Sequence, residues 1–464
     1  MKHTSTLRSS VLKFILISLL VHFISEAFSQ NAVTTLAGSS QGFADATGTS
    51  AKFSAPTGLC LSPDGTALYI ADYSGHRIRK INTATRAVTT LAGNGTSGYV
   101  DATGTAAKFS YPSGICITPD GTSLYVSDYG NSYIRKIDIA TQAVSTVAGN
   151  GTFAFGDNVS GLSAAFNGPT DVVISGDSIL FISDTENHLI RKYNIGTTAV
   201  STLAGMTAVP GFQNGIGTAA AFRFPKGLAI SEDCSALYIA DNGNHMIRAI
   251  SLTTANVTTV AGDGTAGYSD NALGALARFS TPNGVSIVPG NPDLLYIADN
   301  GNHRIRKITL STTAVSSIAG DGSVPPASTY ADNAAGVNAK FFYPTNLRIS
   351  PDGQDIFVTD QGNFRVRKVK TGLNAAIEEA NEALSLEIFP NPSSGKITII
   401  SNIQNEELSL GISSMEGKLI RSKNIAASFH GTITEDLSVL PAGNYLLSIF
   451  SPVRFTCKRI TIIK

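Results

Sequence analysis

Short apolar runs of four to six residues, separated by Gly, Pro, Asp and Asn, follow one another along most of the chain. Such runs are too short for helices and predict strands joined by tight turns. The clearest unit is Leu294 to Ile308, L-L-Y-I-A-D-N-G-N-H-R-I-R-K-I, in which two apolar runs flank a polar turn. It recurs six times, anchored by Asp72, Asp128, Asp184, Asp241, Asp299 and Asp360, with Arg79, Arg135, Arg191, Arg248, Arg306 and Arg367 each seven residues later. Both series advance by 56, 56, 57, 58 and 61 residues. A fixed period of this size means one supersecondary unit repeated, so function should sit on a surface that the repeats share.

Each repeat resolves into four strands. In the second copy Gly114 to Thr118 is followed by the turn Pro119-Asp120-Gly121, then Ser123 to Ser127, a turn at Tyr129 to Asn131, Tyr133 to Ile137, and Ala143 to Gly149. Pro presets φ and Gly tolerates positive φ, which a tight hairpin needs. The strands are nearly continuously apolar, as in Leu237 to Ala240, and this predicts sheets buried on both faces, stacked as blades around an axis. The fourth strand follows the Arg of copies one to five, at Leu91, Val147, Leu203, Val260 and Ile318, but is missing after Arg367. A surplus copy stands at the front, Ala32 to Gly38, so residues 32–38 are expected to complete the last blade and remove its open edge.

Between blades runs a loop of about twenty residues, long for a connection. Asp45, Asp101, Asp157, Asp270 and Asp332 share one position in it, with Asn214 as the exception. Long loops on a rigid scaffold often carry binding, so these are expected to ring one mouth of the central channel.

Composition changes the picture at the ends. Lys plus Arg equals Asp plus Glu at 34 each, so no net field favours nucleic acid or an anionic membrane surface. Residues 1–29 have the form of a secretory signal: Lys2, Arg8 and Lys13 precede the apolar run Phe14 to Ile24, and Ala27-Phe28-Ser29 offers a cut before Gln30. No cysteine lies near that cut, which speaks against a lipid anchor, and no later segment is apolar enough to predict a transmembrane helix. The four cysteines, at 60, 116, 234 and 457, match neither a disulfide framework nor a zinc site. Cys60 and Cys116 are expected to be buried free thiols. Periodicity stops after about Gly372; residues 373–385 are expected to be a linker, and 386–464, with short strands and Gly/Pro turns, a small β-sandwich.

The repeat resembles the NHL family of β-propellers through Asn187-His188-Leu189, Asn244-His245-Met246 and Asn302-His303-Arg304, with departures at Gly75, Ser132 and Phe364. The resemblance covers residues 30–372 and implies an all-β, six-bladed propeller. Phe389-Pro390-Asn391-Pro392, Gly417-Lys418 and Leu440-Pro441-Ala442-Gly443-Asn444-Tyr445 make the terminal module similar to the type IX secretion sorting domains of Bacteroidetes. That resemblance implies the type IX machinery as a partner and a secreted or outer-membrane-surface location.

Candidate chemistry is sparse. An Asp that recurs in every blade serves the turn, capping its N–H groups, and the recurring His76, His188, His245 and His303 are likewise expected to be structural and not zinc ligands. One carboxylate per loop is thin for calcium, so Asp45, Asp101, Asp157, Asp270 and Asp332 are weak calcium candidates, and no cofactor is expected. Positions that break the repeat are more informative. Asp171 and Asn346 replace a glycine of the inner strand, Arg223 and Lys226 flank Pro225, and Asn283 follows Pro282. Together they predict a ligand site at the channel mouth for an anionic or polyhydroxylated group. The expected function is a binding module for a protein, peptide or glycan; the alternative is a secreted metal-dependent lyase or hydrolase using the channel.

Overall fold

The computed structural model describes residues 31–176, 178–323 and 330–372, and the terminal module from 386 to 462 without 390, 392, 395, 405–407, 415–418, 426–429 and 451–454. The expected signal at 1–29 and linker at 373–385 lie outside the described residues, as do Pro390, Pro392, Gly417 and Lys418 of the sorting motifs.

Six antiparallel sheets form the blades of the propeller, five built on four consecutive strands and the sixth on three consecutive strands plus the first strand of the chain. The inner strands are Pro56–Leu61, Pro112–Ile117, Pro169–Ser175, Pro225–Ile230, Pro282–Val288 and Pro344–Ile349. Every second strand ends on the repeated Asp, as in Ala67–Asp72, whose six residues are all buried. The third strand carries the repeated Arg, as in Arg77–Asn82. Blade 4 has an additional short strand, Gly215–Ile216, beside its outer edge.

The strand Val33–Ala37 pairs antiparallel with Arg365–Lys370, from Val33 opposite Val369 to Ala37 opposite Val366. It therefore supplies the outer strand of the blade whose inner strand is Pro344–Ile349. A second bond set, Val33 to Asn333 in both directions, ties it to the preceding loop. Blades one and six also meet at the axis, where the Thr359 hydroxyl donates to the Thr57 carbonyl at 2.5 Å.

Apolar clusters lie between blades. One joins Tyr69, Ile78 and Leu91 of the first blade to Phe109, Ile115 and Leu124 of the second. Each of the next blade's long loops buries a phenylalanine there, Phe53, Phe109, Phe166, Phe222, Phe279 or Phe341, all fully buried. Contacts divide the chain after Gly372. In the terminal module a three-stranded sheet (Leu386–Phe389, Lys396–Gln404, His430–Asp436) and a four-stranded sheet (Leu419–Ile425, Leu408–Ser414, Gly443–Phe450, Phe455–Ile462) share one core around Ile399, Ile412, Leu447 and Ile460.

Candidate functional site

The repeated Asp and Arg side chains are buried completely and meet each other. Arg135 reaches Asp128 at 2.7 Å, Arg306 reaches Asp299 at 2.7 Å and Arg367 reaches Asp360 at 2.7 Å. The Asp does accept a backbone N–H, but from the loop before its blade and not from its own turn: Ser110 donates to Asp128 at 2.8 Å and Phe342 to Asp360 at 2.7 Å. The Asn of the signature donates to the other oxygen, as Asn187 does to Asp184 at 2.9 Å. Burial pushes these carboxyls up and the guanidinium pulls them down, burial being the larger influence. In blade 1 the Asn is Gly75; Asp72 Oδ2 then lacks a hydrogen-bond donor and Arg79 stands off at 3.5 Å.

The loop acids Asp45, Asp101, Asp157, Asp270 and Asp332 do not ring the channel. Each bonds the same Arg from its other side, at 2.6, 2.5, 2.6, 2.6 and 2.7 Å. Each also accepts an N–H from the outer strand, as Asp101 does from Thr146 at 3.0 Å and Asp157 from Thr202 at 3.0 Å. The loop is drawn outward because a buried guanidinium with five N–H donors needs more acceptors than one carboxylate offers. Aromatic rings close the cage: Arg135 lies 4.9 Å from the Tyr99 centroid and 5.0 Å from Phe109. With their oxygens so engaged, these acids have little left for calcium, and no cluster of three or more His, Cys, Asp or Glu among the described residues is arranged to hold a metal.

The histidines join blades. Each sits just after the turn in the left-handed region, and its Nδ1 accepts the N–H of a residue in the next blade: Tyr111 to His76 at 3.1 Å, Phe224 to His188 at 3.2 Å, Thr281 to His245 at 3.0 Å and Tyr343 to His303 at 3.1 Å. Desolvation lowers all four imidazole pKa values. Phe364 has no acceptor, and the residue it would have met, Ala55, turns its N–H onto Asp72 at 2.9 Å instead.

The channel itself holds two separate chambers. One, of about 270 Å³, is lined by Asp171, Lys226, Asn283 and Asn346, together with Tyr73, Tyr129, Ser113, Glu186 and Gln361. Four of the five predicted ligand residues thus meet. Arg223 does not join them: it is exposed, and Phe224, at φ +49°, turns the chain between it and the inner strand, so the side chain lies against Gly243. Glycine recurs at the waist because a Cβ there has no room; one on Gly58 would come within 2.1 Å of the Ser113 carbonyl and one on Gly227 within 2.2 Å of that of Asn283.

Asp171 occupies that waist position and is itself a scaffold element. It accepts the N–H groups of Val172 at 3.0 Å and, across the blade gap, Leu228 at 2.9 Å. Arg348 stands 3.9 Å away and donates to Asn346 Oδ1 at 2.9 Å. Burial raises the Asp171 carboxyl against the pull of Arg348. Sequence reasoning overlooked Arg348, although the signal was present: the same position holds Cys60, Cys116, Val173, Ala229 and Ser286 in the other copies. Its guanidinium stands between the chambers. The far one, about 250 Å³, is walled by Ile117, Ile174, Ile230 and the buried free thiols Cys60 and Cys116.

In the near chamber the residues differ in how far they are already committed. Thr57 bonds the Ala71 carbonyl at 3.2 Å, and Thr345 and Thr359 bond each other at 2.9 Å. The side chains of Ser113, Lys226, Asn283 and Gln361, by contrast, make no hydrogen bond or ion pair among the described residues. Tyr73 and Tyr129 stand side by side with centroids 5.9 Å apart, and Tyr111 extends the row at 4.9 Å from Tyr73.

Comparison with known proteins supports the export module and the fold. Residues 387–464 match the family described as Secretion system C-terminal sorting domain. The chain is 29% identical over 285 residues to Protein SUPPRESSOR OF QUENCHING 1, chloroplastic, of Arabidopsis thaliana, covering 58% of this chain and 26% of that protein. It is 27% identical over 311 residues to human NHL repeat-containing protein 2, covering 61% of this chain and 42% of that one. It therefore spans less than half the length of either relative. Among solved structures, an auxiliary nutrient binding protein from Bacteroides thetaiotaomicron superposes with TM-score 0.55 at 18% identity, over 73% of this chain and 76% of that one. One from Bacteroides ovatus gives 0.56 at 17%, over 74% and 76%. At such identities the likeness is one of fold.

Proposed function

We propose that the protein is an exported binding module whose propeller holds a glycan end in the near chamber of its channel. Of the three ligand classes its surface chemistry admits, the chamber suits a sugar unit best. It is too small for a folded partner, and its lining combines aromatic faces with hydroxyl, amide and charged groups. The observation that carries the reading is the set of uncommitted polar side chains, Ser113, Lys226, Asn283 and Gln361, facing a row of tyrosines. Polar groups left without internal partners around a chamber are placed for an external one. The sorting domain adds the destination, secretion or the cell surface, where nutrient glycans are met. The structural neighbours described as nutrient binding proteins are consistent with such a role.

The reading needs no metal, and the full chain should be free of tightly held zinc or calcium. A glycan array probed with the full chain tests it. Binding to a defined class of glycan, lost on Tyr129→Ala and Asn283→Ala without a change in melting temperature, is the expected result. Binding unaffected by both substitutions, or none on the array, refutes it.

A further inference from the structure

Lys226 occupies a place where the other five copies carry Thr57, Ser113, Thr170, Asn283 and Thr345. Its ammonium lies in the chamber with no hydrogen bond or ion pair to any described residue, and it stands on blade 4, three blades round from Tyr73 on blade 1. Two carboxylates share the chamber, but neither answers it. Asp171 is held by the N–H groups of Val172 and Leu228 and faces Arg348. Glu186 is beyond ion-pair distance of Lys226, with its stem against Gly168, and it acts on the Tyr129 phenol, whose pKa it raises further than burial alone does. Lys226 is half-buried, and a cation partly withdrawn from water, with its nearest carboxylate beyond ion-pair distance, gains from a ligand that brings a counter-charge. Consistent with that, desolvation holds the Lys226 pKa below the ordinary lysine range, with Glu186 only partly opposing it.

Resting on the glycan reading of the same chamber, we infer that the ligand is an acidic sugar, whose carboxylate pairs with the Lys226 ammonium while its ring lies over Tyr73 and Tyr129. Asn283, on the blade next to Lys226, takes a hydroxyl near the carboxylate, while Ser113, two blades away, donates to and Glu186 accepts from hydroxyls farther round the ring. Lys is suited to this as a point charge whose partner can approach from several directions. A neutral sugar would leave the ammonium uncompensated, so the site discriminates by what it leaves unpaired as much as by what it pairs.

The test is titration calorimetry of the full chain against matched disaccharide pairs, one member ending in a uronate and the other in the corresponding neutral hexose. The uronate member should bind about tenfold tighter, the worth of one charge-assisted contact. That margin should shrink as salt rises. Lys226→Met should bind the two members alike, while Lys226→Arg keeps the preference; thermal melts establish that both variants fold. Equal binding of both members by the wild type overturns the acidic-sugar inference, and if Tyr129→Ala then abolishes both, the glycan site itself stands. A uronate preference that survives both Lys226→Met and Tyr129→Ala overturns the chamber as the site. No binding to any pair overturns the inference.

Discussion

At the scale of single residues, the repeat is a device for burying a charge. Each blade sinks a guanidinium to zero exposure and surrounds it with a fully buried Asp, a loop Asp and aromatic faces. Blade 4 is the incomplete case. Asn214 replaces the loop acid, bonding Arg248 at 2.7 Å through an amide oxygen, and only Phe222 approaches the guanidinium, at 5.4 Å. Asn214→Asp should therefore stabilise the propeller, by no more than about 1 kcal/mol because the equivalent acids are partly exposed and solvent-screened. A raised melting temperature in the variant is the check, and a lowered one would contradict the cage. The histidines give a pH signature. Their folded pKa values lie below the ordinary value near 6.5, so the neutral ring is the one folding favours. Its contribution is whole above that pH and is lost as pH falls toward the folded value. His303→Asn keeps a residue suited to the left-handed turn but cannot titrate. The gap in melting temperature between wild type and variant should narrow from pH 7.5 to pH 5, and a constant gap would mean that protonation does not break the Tyr343 bond.

At the scale of elements, the period of the sequence carried nearly all of the architecture. The four-strand repeat, the turn after each Asp and the surplus strand at the front are local or periodic features, and the structure has them where the phase puts them. The exceptions in the signature also had consequences that could be read only in place. Gly75 leaves Asp72 short of a donor, and Phe364 leaves Ala55 to seek Asp72. Ring closure belongs to this scale. Without residues 31–38 the Arg365–Lys370 strand would present a bare edge and blade 6 would lose Leu36 and Ala37 from its core. Deleting that segment should collapse the cooperative melt, and circular dichroism on heating would show it; an unchanged transition would mean the ring holds without its clasp.

At the scale of the whole molecule, an evenly repeated scaffold acquires a polar chamber by breaking its own repetition along the axis. Six inner strands bring one position each to the waist, and the two that are not glycine, Asp171 and Asn346, gather Arg348 into a plug that separates a polar chamber from an apolar one. The terminal module matches a secretion sorting domain, which implies a part in export. A chain ended after Gly372 should accumulate in the periplasm with its propeller folded, as cell fractionation would show, whereas normal appearance outside the cell would remove the sorting role from residues 387–464.

What the sequence determined alone was whatever depends on spacing along the chain: the number of blades, the strand order, the closing strand and the export module. That four of the five predicted ligand residues share one chamber was also legible, because Asp171 and Asn346 stand at a position that is otherwise glycine and Lys226 and Asn283 at one that is otherwise Thr or Ser. Only the tertiary structure decided the rest. The loop acids face Arg side chains some 34 to 36 residues away, and Arg348 meets an Asp171 three blades distant, so neither relation leaves a mark in local pattern. Arg223 lies outside the chamber for the opposite reason, since the left-handed backbone at Phe224 redirects a side chain only three residues from Lys226, which does line it. Periodicity reports what each blade repeats; which groups confront each other across the axis is fixed by closing the ring.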